Sequence, residues 1–215
     1  MFPKPELERP WRDSSKGAIL SPDRLYRWAL WRIWDRQRRL LCFVCLNGST
    51  ADEEEDDHSL RKFIGFANTL NAGGVLVGNA FGYRTPYPRL LRKAAEPIGA
   101  ENDKWVRLMS ADAGETIVAW GNHGAHLKRS SNMTPLLSEP VSCFGYTKTG
   151  EPKHPLYLSY DEKLIPFGVG DKGFRDGHAI CRGFDPGLPA GDCDSDGHYL
   201  CFECKCKKEL EEEEV

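Results

Sequence analysis

The sequence predicts an α/β fold: a three-layer α/β/α sandwich on a mainly parallel four-stranded sheet, with a small zinc-finger-like module after it. Three observations carry this. Four short apolar runs, at 40–46, 75–78, 116–120 and 141–145, each break off into a polar loop that contains glycine. Segments with helical periodicity lie between them, the order that gives parallel strands covered on both faces. The cysteines crowd at the far end, with Cys181, Cys193, Cys201, Cys204 and Cys206 all beyond residue 180.

A chain of 215 residues holds one good-sized domain and an appendage. Its 40% hydrophobic and 28% charged content is ordinary for a soluble globular protein. No apolar run approaches the roughly 18 residues of a membrane span, and the start lacks the apolar core of a signal peptide. A cytoplasmic protein with no membrane partner is expected. The net charge of -3 comes from the tail KKELEEEEV, read as an acidic disordered stretch at 207–215. A local basic face is permitted but nucleic acid is not required by charge.

In chain order, residues 1–21 are rich in Pro and charge and read as a flexible segment. Ser21-Pro22-Asp23 resembles a helix start. The run 26–34 follows as strand or amphipathic helix; the alternation of Tyr26, Trp28 and Leu30 favours strand. Arg32, Arg36, Arg38 and Arg39 form either a solvated turn or a phosphate-contacting patch. Residues 40–46 are the first central strand. The acids 52–57 suit the positive end of a helix dipole, and Leu60, Phe63, Ile64, Ala67 and Leu70 recur at helical spacing until Gly73-Gly74. A short strand at 75–78 opens into a loop from Asn79 to Pro86. Helices are expected at 90–95, 101–111 and 125–130, around strands at 116–120 and 141–145. Cys42, Cys45 and Cys143 sit in apolar strands as small core residues. Trp28, Trp31 and Trp34 read as core, and His123 and His126 as a surface helix start. This α/β domain spans about 22–168.

Four loops thus meet at one sheet edge, where open α/β sheets bind ligands. They carry Leu46-Asn47-Gly48-Ser49-Thr50-Ala51-Asp52, Asp56-Asp57, Asn79-Ala80-Phe81-Gly82-Tyr83-Arg84, Ala119-Trp120-Gly121 and Gly150-Glu151-Pro152-Lys153-His154-Pro155-Leu156-Tyr157. Over about 25–165 this pattern resembles the DUF1643 family, of unassigned function in bacteria and phages. Gly48 stands where that family usually has Pro, which loosens the loop backbone. The layout is also similar to the uracil-DNA glycosylase superfamily. The pieces that match are Leu46-Asn47-Gly48-Ser49, Val77-Gly78-Asn79, Val118-Ala119-Trp120-Gly121 and His154-Pro155.

Cleaving an N-glycosidic bond needs a held water, a donor for the departing base and a reader of its edge. Asn47 is placed to position the water, and Asp52 is the charged alternative. His154 either caps its loop or donates to the leaving base. Asn79 offers donor and acceptor to a base edge. Phe81 or Tyr83 can stack on a flipped base, and Arg84, Lys148 and Lys153 can meet phosphates. Ser49, Thr50 and Pro155 complete the expected substrate-binding set. A nucleophilic Ser49 finds no Ser-His-acid arrangement in the sequence. No cofactor is expected for catalysis.

The sequence DGHxxC occurs twice, at 176–181 and 196–201, and Cys204 follows Cys201 at CxxC spacing. His178, Cys181, Cys201 and Cys204 make two ligand pairs spaced as in a structural zinc ribbon, with His198, Cys193 or Cys206 as alternates. A module at 174–206 is too short for an apolar core, so zinc would supply its folding energy. Its expected roles are to grip nucleic acid or a protein partner, or only to fold the tail.

The expectation is therefore a nucleobase-recognising protein with DNA or a nucleotide-type ligand as partner. Most concretely it is a DNA glycosylase-like hydrolase acting on a base, modified or not. Two alternatives stand beside it: a non-catalytic nucleotide or nucleic-acid binder, and a small-molecule hydrolase or transferase using Asp52 and His154.

Overall fold

The structure, a computed structural model, describes residues 9–168, nearly all of the first of two compact units, Met1–Phe167 and Gly168–Val215. The chain is mixed α/β. Its strands are β1 (Lys16–Leu20), β2 (Arg27–Ile33), β3 (Leu40–Asn47), β4 (Gly74–Phe81), β5 (Glu115–Ala119), β6 (Val141–Cys143) and β7 (Ile165–Pro166). Its helices are α1 (His58–Thr69), α2 (Pro88–Leu91), α3 (Asn102–Asp112) and α4 (Arg129–Met133), with short 3-10 turns between.

The strands make one sheet of seven, in the order β1-β2-β4-β3-β5-β6-β7. Neighbours among β4, β3, β5 and β6 pair parallel, and β1, β2 and β7 add antiparallel edges. The sheet is thus larger than the four strands read from sequence. The 26–34 run joins it as β2, and the strands not expected are β1 and β7. β7 has two residues, and β1 lies inside the segment read as flexible.

That N-terminal reading needs correction from residue 9 onward. Trp11 is 1% exposed, and its indole N–H donates to the Asp112 carboxylate at 2.9 Å. Its ring packs edge-on against Trp31 and Trp105. Ser21-Pro22-Asp23 starts no helix. The Ser21 hydroxyl donates to the Asp23 carboxylate at 2.5 Å, in the turn between β1 and β2.

β3 shows why the sheet is buried on both sides. Leu41, Phe43 and Cys45 face one apolar cluster, and Cys42 and Val44 the other, as the two-residue period of a strand requires. α1 covers the first face with Leu60, Phe63, Phe66 and Ala67, and Phe63 stacks on Phe43 at 4.7 Å. α3 and α4 cover the second with Val106, Met109 and Met133. At Gly78 α3 comes so close that an added Cβ would lie 2.9 Å from the Met109 methyl carbon.

Two strands run past their expected ends. β3 includes Asn47, paired with Phe81, and β4 includes Asn79, Ala80 and Phe81. The residues from Asn79 to Phe81 are therefore strand, not loop. Among the described residues, no helix is long and apolar enough to cross a membrane.

Candidate functional site

The connections after adjacent strands part at the carboxyl end of β3. The chain leaving β3 enters α1 on one face. The chains leaving β4 and β5 enter α3 and α4 on the other. The chain leaving β6 returns to the α1 face, where Leu158 and Leu164 pack. Such a divergence opens space at the strand ends, where α/β sheets bind ligands.

The ten residues from Gly48 to Asp57 leave β3 without regular structure, so their carbonyls and carboxylates need partners. Arginines supply them. Arg27, 4% exposed, donates to the Ala51 carbonyl at 2.8 Å. Arg32 donates to the Asp52 carbonyl at 2.9 Å and pairs with Asp56 at 2.7 Å. Arg84 donates to the Ser49 and Thr50 carbonyls at 3.2 and 3.3 Å. Arg24 pairs with Glu53 at 2.7 Å and Asp52 at 3.1 Å, and Lys16 with Glu54. Burial pulls Arg27 down to about 10, which leaves it cationic at neutral pH. The acidic run is thus held by guanidiniums rather than merely solvated. Arg32 is neither a solvated turn residue nor a phosphate contact, and the Arg84 guanidinium is turned to the loop's own backbone.

Asp52 belongs to this scaffold. One oxygen accepts the N–H groups of Glu54 and Glu55, both at 3.0 Å, and the other meets Arg24. The Glu55 and Glu54 N–H groups, then Arg24, hold its carboxyl below the ordinary range. Asp57 closes the loop by accepting the Leu60 N–H at 2.8 Å as the N-cap of α1.

Asn47 is half-buried at the tip of β3. Its amide N–H group donates to the Thr85 carbonyl at 2.7 Å and the Gly48 carbonyl at 2.9 Å. Its side-chain oxygen takes no donor from the described residues, so the amide is fixed with its acceptor free. Asn79 touches it: with its amide turned so that nitrogen, not oxygen, faces these acceptors, it donates to the backbone carbonyls of Gly78 at 3.2 Å and Asn47 at 3.3 Å. At 1% exposure, Asn79 is a bracket between β3 and β4 and reads no base edge as it stands. Phe81 is fully buried in the α3-side cluster, so it offers no face to a flipped base. Both corrections follow from β4 running through residue 81.

His154 precedes a 3-10 turn at Pro155–Tyr157. Its Nδ1 accepts the Leu156 N–H at 3.2 Å, so the neutral ring carries its proton on Nε2. Its ring lies against Phe63, centroids 5.7 Å apart. Burial lowers its pKa to about 4, with the Asp57 carboxylate pulling the other way. His154 therefore caps its loop with one nitrogen and presents an uncharged donor with the other. Asp57 is the common charged neighbour of His154 and Arg27.

Of the other expected residues, Tyr83 is half-buried, edge-on to Tyr26 at 5.9 Å. Ser49 is half-buried, Thr50 exposed and Pro155 buried. His178, Cys181, Cys193, Cys201, Cys204, Cys206 and His198 lie outside the described residues. Within the described residues no group of three or more His, Cys, Asp or Glu is placed to hold a metal ion. Neither the cleft of about 750 Å³ beside the β1–β2 turn nor the one of about 160 Å³ at Trp11 is lined by Asn47, Asn79 or His154. Sequence reading missed Arg27 and Glu151. Glu151 is buried and accepts the Trp120 indole N–H at 2.8 Å and the Ser130 hydroxyl at 2.7 Å, joining the ends of β5 and β6. Glu151 lies in the 150–157 segment, where a lone acid between Gly and Pro gives no sign of burial.

His154 sets a pH dependence. Below about pH 6.5 the unfolded chain takes up a proton that the folded ring refuses until about pH 4. Stability is then full above pH 6.5 and falls as pH drops through that window, by roughly 3 kcal/mol at most. Urea unfolding at pH 7 and pH 5 should show this loss in the native chain and a smaller one in His154→Gln. Equal losses in both would exclude His154 as the cause.

The family described as "Protein of unknown function (DUF1643)" matches residues 27–156. No curated protein and no solved structure gives a significant match. The family match takes in β2 through His154, which includes the arginine-held loop and both oriented side chains. Because it covers more than half of the sequence, the chain belongs to the DUF1643 family.

Proposed function

We propose that the chain recognises a nucleobase at the carboxyl end of β3. Most concretely, it is a DNA glycosylase-like hydrolase in a fold akin to the uracil-DNA glycosylases. The carrying observation is a pair of fixed polarities: an oriented acceptor on Asn47 and an uncharged donor on His154. In the reaction, the bond between sugar and base breaks with both electrons leaving on the base. The Asn47 oxygen accepts an O–H from a water, which leaves the water's lone pair aimed at the cationic sugar carbon. The His154 Nε2–H stabilises the anion forming on the base. A neutral ring serves here because no proton has to be lost from it first. The water's proton leaves to solvent, and the base is protonated from solvent. Asp52, engaged by two backbone N–H groups and Arg24, takes no part. That weakens the reading as a small-molecule hydrolase that depends on it.

A second reading is a nucleotide or nucleic-acid binder without turnover. It draws on the same Asn47 acceptor and His154 donor to hold a ligand, and needs no base drawn out between Asn79 and Phe81, which are sealed inside β4. The experiment is to incubate the chain with DNA carrying uracil or modified bases and score alkali-labile breaks. The hydrolase reading expects breaks with the native chain and a loss of about a hundredfold in Asn47→Ala or His154→Ala that still fold. Binding with no base release by any of the three would support the binder.

A structural zinc in 174–206 is proposed on spacing alone, with His178, Cys181, Cys201 and Cys204 as ligands. Metal analysis should find one zinc per intact chain and far less in Cys201→Ser/Cys204→Ser. No zinc in the intact chain would end this proposal.

A further inference from the structure

A cleft lies apart from the end of β3. The turn joining β1 to β2 and the segment before α3 border an open cleft of about 750 Å³, lined by Ser21, Asp23, Tyr26, Trp28, Glu96 and Gly99 among others. This volume is within the range of small-ligand sites. Tyr26 and Trp28 lie nearly parallel, 17° apart with centroids at 6.4 Å. The Tyr26 hydroxyl donates to the Glu96 backbone carbonyl at 2.8 Å, which ties the two walls together. Gly99 has φ +80°, and a Cβ there would lie 2.6 Å from the Tyr26 ring. Only glycine leaves that wall this thin.

The cleft is mainly apolar, with Pro22, Ile98 and Ala100 also in its lining, and the two charged residues that line it are both acidic. The Ser21 hydroxyl, then the Leu25 N–H, holds Asp23 below the ordinary carboxylate range, so it stays ionised. Both bonds fall on one Asp23 oxygen and leave the other open. The Glu96 carboxylate has no partner among the described residues. The adjacent cation, Arg24, is turned to Glu53 and Asp52 instead.

Two carboxylates beside an aromatic pair suit a flat, delocalised cation that stacks and accepts paired hydrogen bonds from neither wall but donates to both. We propose that this cleft binds a guanidinium group, carried by a small molecule or by an arginine of a polypeptide. This proposal does not depend on the chemistry proposed at Asn47 and His154.

The test titrates the full chain with butylguanidinium and with an acetylated Ala-Arg-Ala amide, following tryptophan fluorescence and heat. The controls are butylurea and the citrulline peptide, which keep the shape and lose the charge. Both cations should bind at least tenfold tighter than their neutral partners, and binding should weaken in 0.5 M salt. Asp23→Asn/Glu96→Gln should lose at least tenfold while its thermal midpoint stays near that of the native chain. Tighter binding of the peptide assigns the site to a polypeptide; tighter binding of butylguanidinium assigns it to a small molecule. Absence of binding at millimolar concentration, equal binding of the neutral partners, or an unchanged double variant would overturn the proposal.

Discussion

The structure depends on how the segment after β3 is satisfied. Ten residues with six consecutive acids would repel one another and leave their carbonyls bare if left to themselves. Four arginines prevent this, from three places: Arg24 from the first turn, Arg27 and Arg32 from β2, and Arg84 from the chain after β4. Each guanidinium carries several donors in a fixed plane, so one side chain can serve a carbonyl and a carboxylate together. Lysine would not do the same. The contact that matters most is that of Arg32, which is largely buried and reaches both Asp56 and the Asp52 carbonyl.

Everything at the candidate site follows from that hold. With the loop fixed, Asp57 sits where it caps α1. α1 then brings Phe63 onto Phe43 and against the His154 ring. That burial keeps the imidazole neutral, and the turn at Leu156 fixes which nitrogen has the proton. On the other side of the loop, Arg84 and the Asn47 amide bind the same two segments together, 48–51 and 83–85. Position and protonation are thus set by contacts that are themselves structural.

The central parallel strands were legible because their apolar runs and glycine-bearing loops are local signals. β1 was not legible: five residues with a Lys and a Gly look like loop until paired with β2. The site was legible only in part. Asn47 ends β3 as the polar break after its apolar run suggests, whereas His154 lies in the long connection after β6, at the 3-10 turn it caps. The burial of Asn79 and Phe81 depends on β4 continuing three residues further, and that is decided by pairing with Cys45 and Asn47 on β3. No window along one strand contains that information. The arginine contacts were hidden for a similar reason. The basic excess before residue 40 and the acids after residue 51 were both visible, but their match is a matter of three-dimensional neighbours.

The most direct measurement is a double-mutant cycle between Arg32→Met and Asp56→Asn, read by urea unfolding at neutral pH. The two side chains are 10% and 33% exposed, so the pair is only weakly screened. A coupling of about 1 to 2 kcal/mol is expected if the guanidinium holds the loop. A coupling below about 0.3 kcal/mol, the scatter for independent sites, would contradict it.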